Sequence, residues 1–238
     1  MSWIAIAGVT LVMTVSAILQ GAVGFGLGLV AIPFLIYLDL RFVPGPLLVA
    51  ALTLHMLVLQ RDRSGVDRSG LTMLLSGRVL GTIPAAMLLA YLPIDSMKIL
   101  LAAVVLAGAF MGLLHSGGHP TPAVLFGAGT ASGFMATAAG LGGPPVALVY
   151  QRETGLRLRG TLAAYFIVGT VLSLAALAWA GRFGAEEIRL SVRLVPGTVL
   201  GYFMSRPAAA YLDGGRTRTA VLAVSALAAV SVIVTVLM

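Results

Sequence analysis

The sequence runs Gln20-Gly21-Ala22-Val23-Gly24-Phe25-Gly26-Leu27-Gly28 at the centre of an apolar stretch that extends over residues 3–38. As one straight helix this stretch would be roughly 54 Å long, whereas the hydrocarbon core of a bilayer is only about 30 Å thick. Each glycine in a helix costs about 1 kcal/mol relative to alanine, so we predict a break within residues 21–28 and a helix on either side. Because lipid does not tolerate unpaired backbone groups, the break must face protein, water or a ligand.

The composition indicates a multi-pass membrane protein that is embedded in a lipid bilayer. Hydrophobic residues make up 59% of the 238 residues and charged residues only 10%, whereas about a quarter of a soluble domain is charged. The absence of cysteine excludes disulfides and thiolate metal sites. The net charge of +7 comes from basic residues in short loops, which positive-inside topology explains better than nucleic-acid binding does. No removed signal peptide is expected, because the apolar stretch continues past residue 20.

A second overlong apolar run, residues 121–151, repeats the pattern of the first. Gly24-Phe25-Gly26 aligns with Gly140-Leu141-Gly142 at an offset of about 116 residues, and Gly77-x-Val79-Leu80-Gly81 aligns with Gly197-x-Val199-Leu200-Gly201 at about 120. The order of the matches is the same in both halves, which indicates an internal duplication. We therefore expect a first repeat over residues 1–114, a connector over 115–120 and a second repeat over 121–238.

The predicted fold is an all-α polytopic membrane protein with two inverted repeats, each a glycine-broken helical hairpin plus three transmembrane helices. Those six helices are predicted at residues 43–59, 70–92, 97–114, 162–180, 190–212 and 219–237. If each broken run returns to the face that it entered, one face collects eight basic residues: Arg61, Arg63, Arg68, Arg152, Arg157, Arg159, Arg216 and Arg218. The other face collects four: Arg41, Lys98, Arg182 and Arg189. This division fits the positive-inside rule better than single crossings do, and it places both termini outside the cytoplasm.

Two helix N-termini that face each other at the breaks would form an anion site without a fixed positive charge. One helix would begin after Gly26 and the other at Pro144-Pro145, where proline loses no hydrogen bond. The predicted substrate-binding residues are Gln20, Gly24, Phe25, Gly26, Gly28, Thr137, Gly140, Gly142, Gly143 and Pro144, with Arg78. The alternative is that these glycines serve only close helix packing.

Other polar residues in the apolar segments have two interpretations. Arg78 lies roughly 12 Å inside its segment, where it can bind the anion or snorkel to the interface. Ser132 and Thr130 are further candidates near the second break. His55 can relay protons or serve as a hydrogen-bonded structural residue.

No enzyme motif is present, and neither a cofactor nor a resident metal is expected. The sequence lacks a phosphate-binding Gly-Lys-Ser or Gly-Lys-Thr, and its acidic residues lie almost wholly in loops. Transport would therefore draw on the gradient of the solute, on a coupling ion such as a proton or sodium, or on a partner. The leading hypothesis is a secondary transporter of small anions that works by alternating access at a central site formed by the two broken helices. A channel without alternating access and a non-transporting membrane scaffold remain as alternatives, and the oligomeric state is open.

The chain resembles the sulfite exporter TauE/SafE family of membrane anion permeases. The likeness lies in Gln20 to Pro33, in Gly133 to Pro145, and in the length and duplication, so it covers nearly the whole chain. The resemblance implies a permease of the bacterial inner membrane or of an archaeal membrane. It also implies a small anionic solute, often a sulfur-containing one such as sulfite or a sulfonate. Thr198 stands where a strict repeat of Arg78 would fall, so any basic residue of the site is asymmetric.

Overall fold

The computed structural model describes residues 3–114, 121–150, 152, 153, 155–212 and 230. These residues form helices and connecting turns, as the all-α prediction requires. The helices are α1 Trp3–Val23, α2 Leu27–Leu38, α3 Gly45–Asp62, α4 Leu71–Tyr91, α5 Ile94–Leu113, α6 Pro122–Ala139, α7 Gly143–Val149, α8 Gly155–Trp179 and α9 Ala185–Leu212. The predicted connector and the predicted helix at 219–237 lie outside the described residues, apart from residue 230.

The first broken run forms two helices, α1 and α2, that are separated at Gly24, Phe25 and Gly26. Gly24 has φ 99° and Gly26 has φ 124°, backbone angles that side chains with a Cβ rarely adopt. The start of α1 lies near the end of α2, because a Cβ atom placed on Gly8 would lie 3.9 Å from the Leu38 side chain. The two helices therefore form a hairpin, and α2 returns toward the side from which α1 comes.

The second broken run has the same organisation, with a shorter second arm. Helix α6 ends at Gly140, whose φ of 79° lets the following N–H, of Leu141, reach back to the Met135 carbonyl oxygen at 3.3 Å. Helix α7 begins at Gly143 and carries Pro144 and Pro145 in its first turn, where their missing N–H groups cost nothing. Tyr150, at the end of α7, and Leu125, near the start of α6, belong to one buried apolar cluster, so this run also folds back on itself.

The two halves pack against each other in a crossed arrangement. Helix α1 packs most extensively against α9, helix α4 against α6, and α3 against α8. Glycines permit the first two contacts: a Cβ on Gly77 or Gly81 would collide with the backbone of α6 at Phe126 and Thr130. In the same way, a Cβ on Gly197 or Gly201 would collide with the backbone of α1 at Thr10 and Thr14. These four glycines therefore serve close helix packing.

Ion pairs between loops define the two faces of the bundle. Arg157 at the start of α8 contacts Asp67 after α3 at 2.6 Å, and Arg159 contacts Asp62 at 2.8 Å. The loops after α3 and before α8 therefore lie on one face. Arg41 contacts Glu186 at 3.2 Å, which joins the loops after α2 and before α9 on the opposite face.

The surface and the interior have the polarity of a membrane protein. Within the described residues, four helical segments are long and apolar enough to cross a bilayer: Ala5–Val23, Leu71–Tyr91, Ser96–Leu113 and Gly155–Trp179. Large apolar side chains such as Leu11, Leu80 and Phe203 are more than half exposed, while Arg78, Ser132 and Ser173 are buried. Apolar groups face outward and polar groups converge inside, so a polar binding site would lie at the centre of the bundle.

Candidate functional site

The two breaks meet at the centre of the bundle. A Cβ atom placed on Gly28 would lie 2.9 Å from the Gly140 carbonyl oxygen, and one placed on Gly143 would lie 3.0 Å from the Phe25 Cβ. The N-terminal ends of α2 and α7 are thus adjacent, although more than 110 residues separate them in the sequence. The first N–H groups of α2 have no partner within that helix, and in the first turn of α7 the N–H belongs to Gly143, because Pro144 and Pro145 have none. The positive ends of the two helices therefore lie side by side.

A cavity of about 30 Å³ lies between the breaks. Seven of the eleven predicted site residues line it: Gln20, Gly26, Gly28, Arg78, Gly140, Gly142 and Gly143. A water molecule needs about 10–15 Å³ by this measure, so the cavity is large enough for solvent or a very small ion in this conformation.

Four predicted residues lie near the breaks but do not line the cavity. Gly24 faces Leu162 and Arg159, Phe25 packs on Gly143, and Pro144 faces Gly108 of α5. Thr137 is buried and bonds to the Ser173 hydroxyl at 2.8 Å. Of the further candidates, Ser132 contacts Arg78, whereas Thr130 bonds to its own helix at Phe126.

Gln20 holds the first break in place with its side-chain amide. Its Oε1 accepts a hydrogen bond from the Leu27 N–H at 3.0 Å, so it caps one of the free N–H groups of α2. Its Nε2 donates to the Gly24 carbonyl oxygen at 3.1 Å and contacts His55 Nε2 at 2.9 Å. One side chain therefore connects the end of α1, the start of α2 and the middle of α3.

Arg78 lies beside the second break and is buried, with 1% of its surface exposed. Its Nη1 donates to Ser132 Oγ at 3.0 Å, and its Nη2 donates to Ser173 Oγ at 3.2 Å. The Nε atom has no hydrogen-bond partner among the described residues, and the guanidinium lies 5.5 Å from the centre of the Tyr165 ring. The snorkelling interpretation is therefore wrong for Arg78, because the side chain ends at the centre of the protein.

The second break is connected to Arg78 through Ser132 and Gly142. Ser132 Oγ donates to the Gly142 carbonyl oxygen at 2.7 Å while it accepts from Arg78. A Cβ atom on Gly142 would lie 2.9 Å from Arg78 Nη1, so only glycine lets the guanidinium approach this closely. The fixed positive charge thus lies at the start of α7, next to the helix dipole.

Helix α8 contributes cavity residues that the sequence analysis did not identify. Phe166 and Thr170 line the cavity, and Ser173 holds Arg78. A signal was present in the sequence: adding the repeat offset of about 116 to His55 leads to residue 171, next to Thr170. Polar residues in an apolar helix at the position equivalent to His55 would have indicated this contribution.

The face that holds the loop after α3 carries a cluster of charged side chains that caps the end of α1. Arg61 donates to the Gly21 carbonyl oxygen at 2.8 Å, and Arg159 donates to the Ala22 carbonyl oxygen at 3.5 Å. Both arginines pair with the buried carboxylate of Asp62. Cations at a helix C-terminus stabilise the helix dipole, so this cluster holds α1 in position next to the break.

Loop carboxylates on the two faces are held ionised by arginines. Hydrogen bonding from Arg157 lowers the pKa of Asp67 to about 2. Hydrogen bonding from Arg41 lowers the pKa of Asp39 below its usual value. Within the described part of the chain, no three His, Asp or Glu side chains come together to form a metal site.

Comparisons with known proteins give one match. The sequence profile of the family described as Sulfite exporter TauE/SafE matches residues 9–232, which is nearly the whole chain. Searches among curated proteins and among solved structures found no match.

Proposed function

Because the chain belongs to the sulfite exporter TauE/SafE family, we propose that it is a secondary transporter of small anions, with sulfite and sulfonates as the first candidates. The substrate binds between the two breaks, where Gln20, Arg78, the first turn of α2 and Gly143 of α7 surround the cavity. The protein acts in a cell membrane and is not an enzyme. The family supports anion transport in general, and the choice of anion and the mechanism are proposed here.

The burial of Arg78 is the observation that carries this proposal. A buried guanidinium loses its hydration, and proteins normally offset that loss with a carboxylate. Arg78 instead contacts two serine hydroxyl groups and an aromatic ring, with no acidic partner among the described residues. An anion from solution in the adjacent cavity, which Arg78 lines, would supply the missing charge.

The crossed packing supports alternating access by inverted repeats. In the internal duplication α1 corresponds to α6 and α9 corresponds to α4, so the contact between α1 and α9 is equivalent to the contact between α6 and α4. Thr10 and Thr14 of α1 correspond to Phe126 and Thr130 of α6 at the same offset of about 116 residues. In such folds the substrate site lies near the bilayer midplane, between elements that rock about it. The cavity of about 30 Å³ corresponds to a closed conformation between two open ones.

Flux into liposomes tests the proposal. We expect radiolabelled sulfite to enter proteoliposomes with saturable kinetics, and unlabelled sulfite inside the vesicles to drive its uptake by exchange. Imposed proton or sodium gradients in the same assay identify the coupling ion. A protein-free liposome and the Arg78→Met variant serve as controls.

Flux that does not saturate and shows no exchange would indicate a channel. If sulfite, sulfonates and small carboxylates neither move nor stabilise the purified protein, the proposal is wrong.

A further inference from the structure

We propose that His55 binds the substrate by donating its Nδ1–H to an oxyanion held beside Arg78. This inference rests on the proposed function and adds a second, uncharged donor to that site. It follows from the hydrogen bonds of Gln20, from the position of the His55 ring and from the cavity that both His55 and Arg78 line.

The orientation of the Gln20 amide is fixed by the backbone around it. The Leu27 N–H is a donor, so the atom that it contacts at 3.0 Å must be the amide oxygen. The Gly24 carbonyl oxygen is an acceptor, so the atom that it contacts at 3.1 Å must be the amide nitrogen. The two contacts agree, and they direct the second N–H of the Gln20 amide toward His55.

This orientation determines which nitrogen of His55 carries the proton. His55 Nε2 lies 2.9 Å from the Gln20 Nε2, which is a donor, so His55 Nε2 must be the acceptor. A neutral imidazole carries a single N–H, which is then on Nδ1. A proton on both nitrogens would place two donors against each other at Gln20 and a second positive charge near Arg78. The network therefore selects the neutral ring.

The Nδ1–H of His55 is buried and has no hydrogen-bond partner among the described residues. The ring stacks on Phe166 with centroids 4.9 Å apart and an interplanar angle of 26°, so it has a defined orientation. Arg78 Nε is likewise a buried donor without a partner in the described chain. His55 and Arg78 line the same cavity, and unsatisfied buried donors on these two residues are costly unless a ligand accepts from them. A small oxyanion such as sulfite or a sulfonate group offers an unprotonated oxygen to each.

Two substitutions separate the role of Nδ1 from that of Nε2. In His55→Asn the amide nitrogen can take the place of Nδ1 and donate, but the acceptor for Gln20 is lost. In His55→Gln the amide oxygen can take the place of Nε2 and accept from Gln20, but the donor at Nδ1 is lost. Binding of sulfite and methanesulfonate is measured from the ligand-induced rise in the apparent Tm of the detergent-purified protein. Sodium chloride at matched ionic strength is the control.

We expect stability and affinity to change in opposite ways in the two variants. His55→Asn should have a lower Tm without ligand and bind within about threefold of the wild type, because it keeps a neutral donor. His55→Gln should keep its Tm and bind at least about tenfold more weakly, because it loses a bond to a charged ligand. Should His55→Asn fail to fold, the affinity of His55→Gln at unchanged Tm decides the question alone.

Wild-type affinity in His55→Gln would overturn the inference and leave the proposed transport function intact. A loss of affinity that follows the loss of Tm in both variants would also overturn it, since His55 would then be only structural. If the wild-type protein binds neither anion, the inference is wrong, and the flux of sulfite, sulfonates and small carboxylates into liposomes decides the proposed function separately.

Discussion

At the scale of single residues, Arg78 is expected to serve binding at the expense of stability. Its charge is desolvated in α4, while Ser132 and Ser173 each keep another partner, Gly142 O and Gly169 O, when the guanidinium is removed. Arg78→Met should therefore leave the apparent Tm unchanged or raise it, because an uncompensated buried charge is replaced by an apolar side chain. The same variant should bind sulfite at least about tenfold more weakly, since a hydrogen bond from a charged group is worth about 1.5–3 kcal/mol.

The matched control for that prediction is Arg78→Lys. Lysine keeps the charge but cannot contact Ser132 and Ser173 with two arms of one planar group, so it should bind with intermediate affinity. Thermal shift with and without sulfite measures both properties in all three proteins. A large fall in Tm for Arg78→Met with unchanged affinity would show that Arg78 is structural.

Two glycines at the breaks should respond to alanine for different reasons. A Cβ on Gly26 meets nothing within 4 Å, but its φ of 124° is strained for alanine. We expect Gly26→Ala to lose about 1–3 kcal/mol of stability through strain. Gly142 has an ordinary φ of −98°, but its Cβ would press on Arg78 and Ser132. Gly142→Ala should therefore cost more free energy of sulfite binding than free energy of unfolding. Equal effects of both substitutions on binding and stability would contradict this distinction.

At the scale of helices, glycines in the two crossed contacts should be equivalent. Gly81 packs on the backbone of α6 at Thr130, and Gly201 packs on the backbone of α1 at Thr14. Alanine at either position must separate two helices, so we expect each substitution to lower the Tm by a similar amount. Gly127 of α6 is the control because its Cβ would meet nothing within 4 Å. Gly127→Ala should leave the Tm unchanged or raise it, because alanine favours helix by about 1 kcal/mol.

That comparison tests the internal duplication as well as the packing. If Gly81→Ala unfolds the protein in detergent while Gly201→Ala has no effect, the two contacts are not equivalent. The apparent Tm by intrinsic fluorescence, together with the elution volume in size-exclusion chromatography, distinguishes these outcomes.

The sequence predicted the breaks closely because their cause is local. Glycines with positive φ and a proline pair at a helix start act within a few residues, so they mark where α1, α2, α6 and α7 end or begin. Packing between the two halves of the chain decides which side of a helix end faces the cavity. A local sequence pattern does not contain this information. Gly24 and Pro144 were therefore placed in the site although they face Leu162 and Gly108. For the same reason Phe166 and Thr170 of α8 were missed.

At the scale of the whole molecule, the ion pairs on the two faces connect the first half of the chain to the second. Arg157 of the second half holds Asp67 of the first on one face, and Glu186 of the second holds Arg41 of the first on the other. Both arginines have more than half of their side-chain surface exposed, so each pair is weak by itself and can break during a transport cycle. In alternating access one face opens while the other stays closed.

Covalent locks at these faces should block transport without abolishing binding. The chain contains no cysteine, so Asp67→Cys with Arg157→Cys gives a protein in which a bismaleimide can join only the two introduced thiols. We expect the joined protein to lose sulfite flux in liposomes while sulfite still raises its apparent Tm in detergent. The corresponding pair on the opposite face, Arg41→Cys with Glu186→Cys, should behave in the same way.

The unlinked double variants and a monofunctional maleimide are the controls, because they remove the ion pair without joining the halves. These controls should transport at close to the wild-type rate, since exposed ion pairs contribute little to stability. If the joined protein transports sulfite as fast as its unlinked form on both faces, the halves do not move apart during transport. A fixed pathway through the two breaks would then replace alternating access, while the anion site between α2 and α7 would remain.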